Sequence, residues 1–165
     1  MKNLYLVGMM GCGKSTLGKK AAQKLGRAFV DLDTKIEADS GETIPQMFEK
    51  HGESYFRDAE TAALNKASRE NELVVACGGG VVLRKKNIEL MKNSGRIVYI
   101  DRPIEKIMAD VDTSVRPLLS GGAHKAKALY EQRKMLYEEY ADEIIINDGN
   151  INAAVEKIVS FAKRI

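Results

Sequence analysis

The sequence predicts a three-layer α/β domain, a five-stranded parallel sheet with helices on both faces, and three observations predict it. Short apolar segments alternate with helix-like stretches along the chain, the pattern of successive βα units. A Gly-x-x-x-x-Gly-Lys-Ser run, Gly8 to Ser15, stands between an apolar segment and a helix-like stretch, as a strand–loop–helix unit requires. The 165 residues suffice for one domain with a proper core and are too few for two, so residues 1–165 read as one unit.

Each element has its own signal. Lys2–Val7 is the first strand, and Lys14–Leu25 is the helix after the glycine-rich loop, stopped at Gly26. Ala28–Asp31 is the second strand, followed by helices over Asp33–Ser40 and Ile44–His51. Thr43 and Gln46 form a capping box for the latter, Pro45 suits its first turn, and Gly52 ends it. Ser54–Asn71 is a long helix, and Leu73–Cys77 is a strand running into three glycines. Helix Asn87–Asn93 stops before Gly95, and strand Arg96–Ile100 follows. Helices Ile104–Asp110 and Ala123–Ala141, strand Glu143–Ile146 and helix Asn152–Lys163 complete the chain.

Composition excludes several roles. The net charge is only +3 with both signs interspersed, so nothing points to nucleic acid or an acidic membrane. No apolar run is long enough to span a bilayer, and the chain enters a strand without a signal-peptide pattern. Two cysteines, Cys12 and Cys77, make no disulfide framework, so a reducing cytoplasm is expected. His51 and His124 have no partner at metal-ligand spacing.

The glycine-rich run implies a nucleoside triphosphate. Its glycines let backbone N–H groups converge on phosphate oxygens, and the positive end of the next helix adds attraction. Gly11, Cys12, Gly13, Lys14, Ser15 and Thr16 form the cradle. Lys14 is expected at the β- and γ-phosphates, and the Ser15 hydroxyl at Mg2+. Cys12 is read as a small residue that fits the loop.

In doubly wound sheets ligands gather at the carboxyl ends of strands, and further chemistry stands there. Asp31-Leu32-Asp33 closes the second strand, and an extended chain would put both carboxylates on one side. A phosphotransferase needs one carboxylate for Mg2+, often through water, and one to act on an attacking hydroxyl. The alternative is that Asp33 merely caps a helix. Gly78-Gly79-Gly80 marks backbone that approaches a ligand or takes a positive-φ turn. Arg57 either serves a ligand or pairs with Asp58 or Glu60 at the surface. Ser114 to Leu119, with Gly121-Gly122 behind it, suits a mobile lid carrying Arg116 to the γ-phosphate. Arg133 lies in the following helix, with Tyr137 one turn on.

The set as a whole resembles the shikimate kinases. The resemblance runs from Leu4–Thr16 through Asp31-Leu32-Asp33, Gly52–Glu60 (with Phe56-Arg57-x-x-Glu60), Gly78-Gly79-Gly80 and Arg116-Pro117-Leu118-Leu119 to Arg133. It implies a nucleoside-monophosphate-kinase-like fold with strand order 2-3-1-4-5. It implies transfer of the ATP γ-phosphate to the 3-hydroxyl of shikimate, a step of aromatic amino-acid synthesis by way of chorismate. By that resemblance Lys14, Asp33 and Arg116 are catalytic, and Asp33 contacts the acceptor hydroxyl. Arg57 and Arg133 hold the shikimate carboxylate, and Gly79 lends backbone. Arg116 reaches ATP, and one Mg2+ rests on Ser15 with Asp31 behind water. The substrate region spans about 33–61 and the lid about 111–124. ATP and shikimate are the expected partners, without nucleic acid or membrane, on a monomer.

The sequence also departs from the family. Many relatives carry an arginine near the adenine, about seven residues before the lid arginine, where this chain reads Met108-Ala109-Asp110. The adenine contacts are then expected on backbone groups of Asn147-Asp148-Gly149-Asn150. The alternatives weighed are a related small-molecule kinase such as a gluconate kinase, an adenylate kinase, and a catalytically silent nucleotide-binding module. Arg57 and Arg133 favour an acidic acceptor, and retention of Lys14 and Asp33 argues against silence.

Overall fold

A computed structural model describes residues 2–110 and 122–165 of the chain. Five strands form one parallel sheet: β1 (Asn3–Val7), β2 (Ala28–Asp31), β3 (Leu73–Ala76), β4 (Gly95–Asp101) and β5 (Glu143–Ile146), in the order β2-β3-β1-β4-β5. The expected parallel sheet and its order are both found.

The helices are α1 (Lys14–Leu25), α2 (Leu32–Ser40), α3 (Ile44–His51), α4 (Glu53–Ala67), α5 (Lys85–Ser94), α6 (Ile104–Asp110), α7 (Ala123–Tyr140) and α8 (Ile151–Ala162). Alternate residues of β1 feed two cores. Leu4 and Leu6 pack with Leu17 and Ala21 of α1 and with Val155 and Ile158 of α8. Tyr5 and Val7 face the other way, toward Ile36, Met47, Leu64, Met91 and Tyr137 of helices α2 to α5 and α7. Strands buried on both faces read as continuous apolar runs, which is why β1, β3 and β4 were legible.

Helix ends follow local chemistry. Thr43 and Gln46 form both bonds of the capping box, and Gly26 ends α1 in the left-handed region at φ 67°. Most element ends fall within two residues of expectation, and three features depart from it in an instructive way. Helix α4 ends at Ala67 rather than Asn71 because the buried Asn3 amide competes for the chain beyond it. Its Nδ2 donates to the Ala67 and Glu70 carbonyls, at 3.3 and 2.9 Å, and its Oδ1 accepts from Leu73 N at 2.9 Å. A short 3-10 turn, Val81–Leu83, follows the triple glycine and was not foreseen. Gly95 opens β4 with an extended backbone instead of closing α5 as a left-handed cap. Its missing side chain matters sterically: a β-carbon there would stand 2.3 Å from the Asn3 carbonyl.

Candidate active site

The loop after β1 is built on positive φ at Gly8 (148°), Gly11 (79°) and Gly13 (100°), which a residue with a β-carbon rarely adopts. Space is equally tight. A β-carbon at Gly8 would stand 2.4 Å from the Ile100 carbonyl, and one at Gly13 would stand 2.7 Å from Asn147 Nδ2. Gly13 leads directly into α1, so the loop sits on the positive end of that helix. The Lys14 ammonium is nearly buried and donates to the Gly8 and Met9 carbonyls, at 2.7 and 2.9 Å. Cys12 is fully buried in the core beneath α1 and α8, in keeping with a small residue that fits the loop.

Across the loop lies a cavity of about 370 Å³ lined by Lys14, Ser15, Thr16, Asp31, Asp33 and Gly79, among others. The Ser15 hydroxyl donates to the Asp31 carboxylate, so the two oxygen donors expected at a metal are in contact. The expectation that Asp31 and Asp33 extend from one strand is corrected. The strand ends at Asp31, which caps α2 by accepting from Thr34 N at 3.2 Å, while Asp33 stands in the first helical turn. Capping was anticipated for the wrong aspartate. The turn still brings both carboxylates to the same cavity.

The triple glycine after β3 is a close-approach device. None of its residues has positive φ, so a left-handed turn is not what requires glycine here. A β-carbon at Gly78 would stand 2.7 Å from Glu60 Oε2 and 2.9 Å from Asp33 Oδ1. At Gly79 it would stand 3.4 Å from Arg133 Nη1, and at Gly80 only 2.3 Å from Arg57 Nη1. Two guanidinium groups and two carboxylates thus converge on three consecutive glycines.

Arg57 does not pair at the surface. It is buried, and its Nη1 donates to the fully buried Glu60 at 3.0 Å. Burial raises the Glu60 carboxyl above its usual range, against the opposing pull of Arg57. Arg133 is 3% exposed, and burial pulls its guanidinium below its ordinary value, with Arg57 adding to the effect. Among the described residues, Arg133 Nη1 and Arg57 Nε have no hydrogen-bond partner. Arg57 is paired with Glu60 and Glu53, but Arg133 has no ion pair among the described residues, and a buried cation with an open donor is an electrostatic demand for an anion. Tyr137 holds the turn from behind: its hydroxyl donates to the Gly79 carbonyl, and its ring stacks on Tyr99 at 5.1 Å.

Arg116 and most of the lid expected at 111–124 lie outside the described residues. His51 pairs with Glu42 at 3.3 Å, and His124 is exposed. Sequence reading missed two site side chains, Arg102 and Asn147, and took Glu60 only as a surface partner of Arg57 and a member of the family motif. Glu60 had a signal, since it lies one helical turn beyond Arg57. Arg102 follows β4, where strand ends carry ligands, and donates to the Gly11 carbonyl at 3.0 Å. Asn147 donates from Nδ2 to the Cys12 carbonyl at 2.9 Å, whereas only its backbone had been singled out.

A family model described as shikimate kinase matches residues 10–163. The chain is 46% identical over 159 residues to the shikimate kinase of Clostridium beijerinckii, covering 96% of this chain and 94% of that protein. Among solved structures it resembles shikimate kinase from Acinetobacter baumannii in complex with shikimate, with a TM-score of 0.93 and 39% identity over 99% of this chain and 94% of that one. Shikimate kinase from Aquifex aeolicus superposes with a TM-score of 0.86 at 33% identity, over 98% and 96% of the two chains. The match thus runs over nearly the whole length of proteins of one name, and the chain belongs to the shikimate kinase family.

Proposed function

We propose that this chain transfers the γ-phosphoryl group of ATP to the 3-hydroxyl of shikimate, giving shikimate 3-phosphate and ADP on the route to chorismate and the aromatic amino acids. The observation that carries the acceptor half is the pair of buried arginines converging on Gly79 and Gly80. A small carboxylic acid offers the planar, two-oxygen anion that arginine matches. Gly79 leaves room for that acid and lends backbone to it.

The donor half is the loop Gly11–Thr16. Its N–H groups hold phosphate oxygens, and Lys14 leaves the Gly8 and Met9 carbonyls for the β- and γ-phosphates. Asp33 orients the shikimate hydroxyl and accepts its proton as the oxygen bonds to the γ-phosphorus and the bond to the β-phosphate oxygen breaks. The Ser15 hydroxyl and Asp31 carboxylate are hard oxygen donors in contact beside the phosphate cradle, and that donor set fits one Mg2+, with Asp31 reached through water. The ion, when bound, neutralises charge on the transferring phosphoryl group. Arg116, from a lid over 111–124, adds a further positive charge, and lid closure limits hydrolysis of ATP. Residues 33–61 form the acceptor-binding region of a single domain spanning 1–165.

Among the described residues no helix is long and apolar enough to cross a membrane. A monomer in the cytoplasm suits a site whose described acceptor and donor residues come from one chain. ADP release measured with Mg-ATP and shikimate, gluconate or AMP in turn tests the assignment. Turnover with shikimate alone is expected; equal or faster turnover with gluconate would overturn it.

A further inference from the structure

Gly78, Gly79 and Gly80 make room at the end of β3, but three consecutive glycines give a turn no stiffness of its own, since glycine is the least restrained residue. Something outside the turn must hold it. The turn's own bonds run from Val81 N–H to the Gly78 carbonyl and from Leu83 N–H to the Gly80 carbonyl, each at 3.1 Å, and leave the Gly79 carbonyl to another partner. That partner is the fully buried Tyr137 of α7, whose hydroxyl donates to it. A trans peptide is planar, with its C=O and N–H on opposite sides. Fixing the Gly79 carbonyl on Tyr137 therefore turns the Gly80 N–H to the other side of the turn.

Tyr137 is itself held. One face of α7 carries Tyr130, Arg133, Lys134 and Tyr137, spaced i, i+3, i+4 and i+7. Three of the four are tied to neighbouring elements. Tyr130 donates to the Asp101 carboxylate at the end of β4, at 2.8 Å, and the Lys134 ammonium stands 3.7 Å from the same carboxylate. Tyr137 stacks on Tyr99, whose own hydroxyl donates to Asp101 at 3.0 Å. The fourth, Arg133, keeps Nη1 without a hydrogen-bond partner among the described residues, and a β-carbon at Gly79 would stand 3.4 Å from that atom.

The Tyr137 hydroxyl thus meets the turn and the open arginine together. The Gly79 carbonyl only accepts, so the phenol proton is committed to it, and the lone pairs are left to the Arg133 guanidinium, which only donates. Burial pulls the Arg133 cation down and its contact with Tyr137 opposes that pull, while burial raises the phenol, which keeps its proton. We propose that Tyr137 is a positioning residue for the acceptor acid: one hydroxyl fixes the Gly79–Gly80 peptide and the Arg133 guanidinium relative to each other, so that a carboxylate meets both at once. The competing reading is a core tyrosine whose hydroxyl only satisfies a buried carbonyl.

The inference rests on the reading that Arg133 and Gly79 hold the carboxylate of shikimate, and its test separates the two. The carboxamide of shikimate keeps the shape of the acid and lacks its charge. Wild-type kcat/KM is expected to favour the acid over the amide by at least about 30-fold, the lower end for leaving a buried charge without its partner. Tyr137→Phe keeps the ring on Tyr99 and deletes only the hydroxyl. It is expected to cut that preference by roughly tenfold or more, the usual worth of a hydrogen bond to a charged group, because the amide gains little from a correctly placed cation. Tyr137→Met, which fills the core without a hydroxyl, takes its place if Tyr137→Phe does not fold.

Calorimetric Kd values report the same effect independently of turnover. In Tyr137→Phe the Kd of shikimate is expected to rise by about the same factor as the preference falls, while the Kd of ADP stays at the wild-type value. An acid-over-amide preference that survives in Tyr137→Phe or Tyr137→Met overturns the inference, even where use of both acceptors declines together, since that is the mark of a purely structural hydroxyl. Equal use of acid and amide by the wild type would sink the acid-binding reading of Arg133 itself, and the inference with it.

Discussion

Asp33 and Arg133 carry the sharpest consequences at the scale of single residues. Asp33 lines the cavity beside Lys14, so a carboxylate acting on the acceptor hydroxyl predicts a specific defect in Asp33→Asn. Its kcat should fall by roughly two to four orders of magnitude, the usual contribution of a positioned base, while ADP affinity measured by calorimetry stays near wild type. Near-normal turnover would remove Asp33 from the chemistry. Arg133 is buried with an open Nη1, so its loss should be felt by the acid alone. Arg133→Ala should weaken shikimate binding by roughly 2–5 kcal/mol in a direct titration, as for truncation of one partner of a buried charge pair. An unchanged Kd would place Arg133 outside the pocket. The residues legible in advance were those whose signal is local. Gly11, Gly13, Lys14 and Ser15 announce themselves because spacing within one loop is the chemistry. Arg57 and Arg133 became legible only through the family pattern, since burial and convergence belong to the folded state. Arg102 and Asn147 were missed as side chains because their partners, Gly11 and Cys12, lie 91 and 135 residues away.

Among the elements, the turn Gly78 to Gly80 explains why a strand end can serve as a binding surface. A β-carbon at Gly80 would collide with the Arg57 guanidinium, which can yield only by leaving Glu60. Gly80→Ala should therefore raise the shikimate KM about tenfold or more while leaving the ADP Kd unchanged. The accompanying loss of stability in urea should be modest, roughly 1–3 kcal/mol, as for overpacking a tight site. A variant with unaltered shikimate KM would show that Arg57 has space the geometry denies it. Elements were mostly legible from sequence, because parallel strands buried on both faces are continuous apolar runs and the capping residues are local. The misread boundaries share a cause. The end of α4 is set by Asn3, and the extended backbone of Gly95 by its place opposite the Asn3 carbonyl. Both are decided by a residue at the other end of the pairing, where local propensity says nothing.

For the molecule as a whole, burial of Glu60 couples global stability to pH. Its carboxyl is raised chiefly by desolvation, so the unliganded folded state holds that proton more tightly than the unfolded chain does. The contribution is complete below the ordinary carboxylate range and is lost as pH rises through the elevated folded value. Denaturant unfolding of wild type and Glu60→Gln at a series of pH values reads this directly. The wild type should lose stability relative to the variant as pH increases above about 4.5, the usual value for glutamate. A difference that is flat, or that grows in favour of the wild type, would mean that Glu60 is ionised against Arg57 at all pH values tested.

The position of β1 bears on how the protein is made. The strand lies in the middle of the sheet, between β3 and β4, and the phosphate loop hangs from its end. In synthesis from the N-terminus the loop emerges well before either neighbour of its strand exists. On one side β1 waits for β3, and on the other Asn3 meets its β4 partner only when Gly95 has been made. A nascent chain halted before that point contains every glycine of the loop but lacks Arg102 and Asn147, whose side chains hold the Gly11 and Cys12 carbonyls. ATP therefore cannot template early folding on the ribosome; it can reward only a chain whose far half has already arrived.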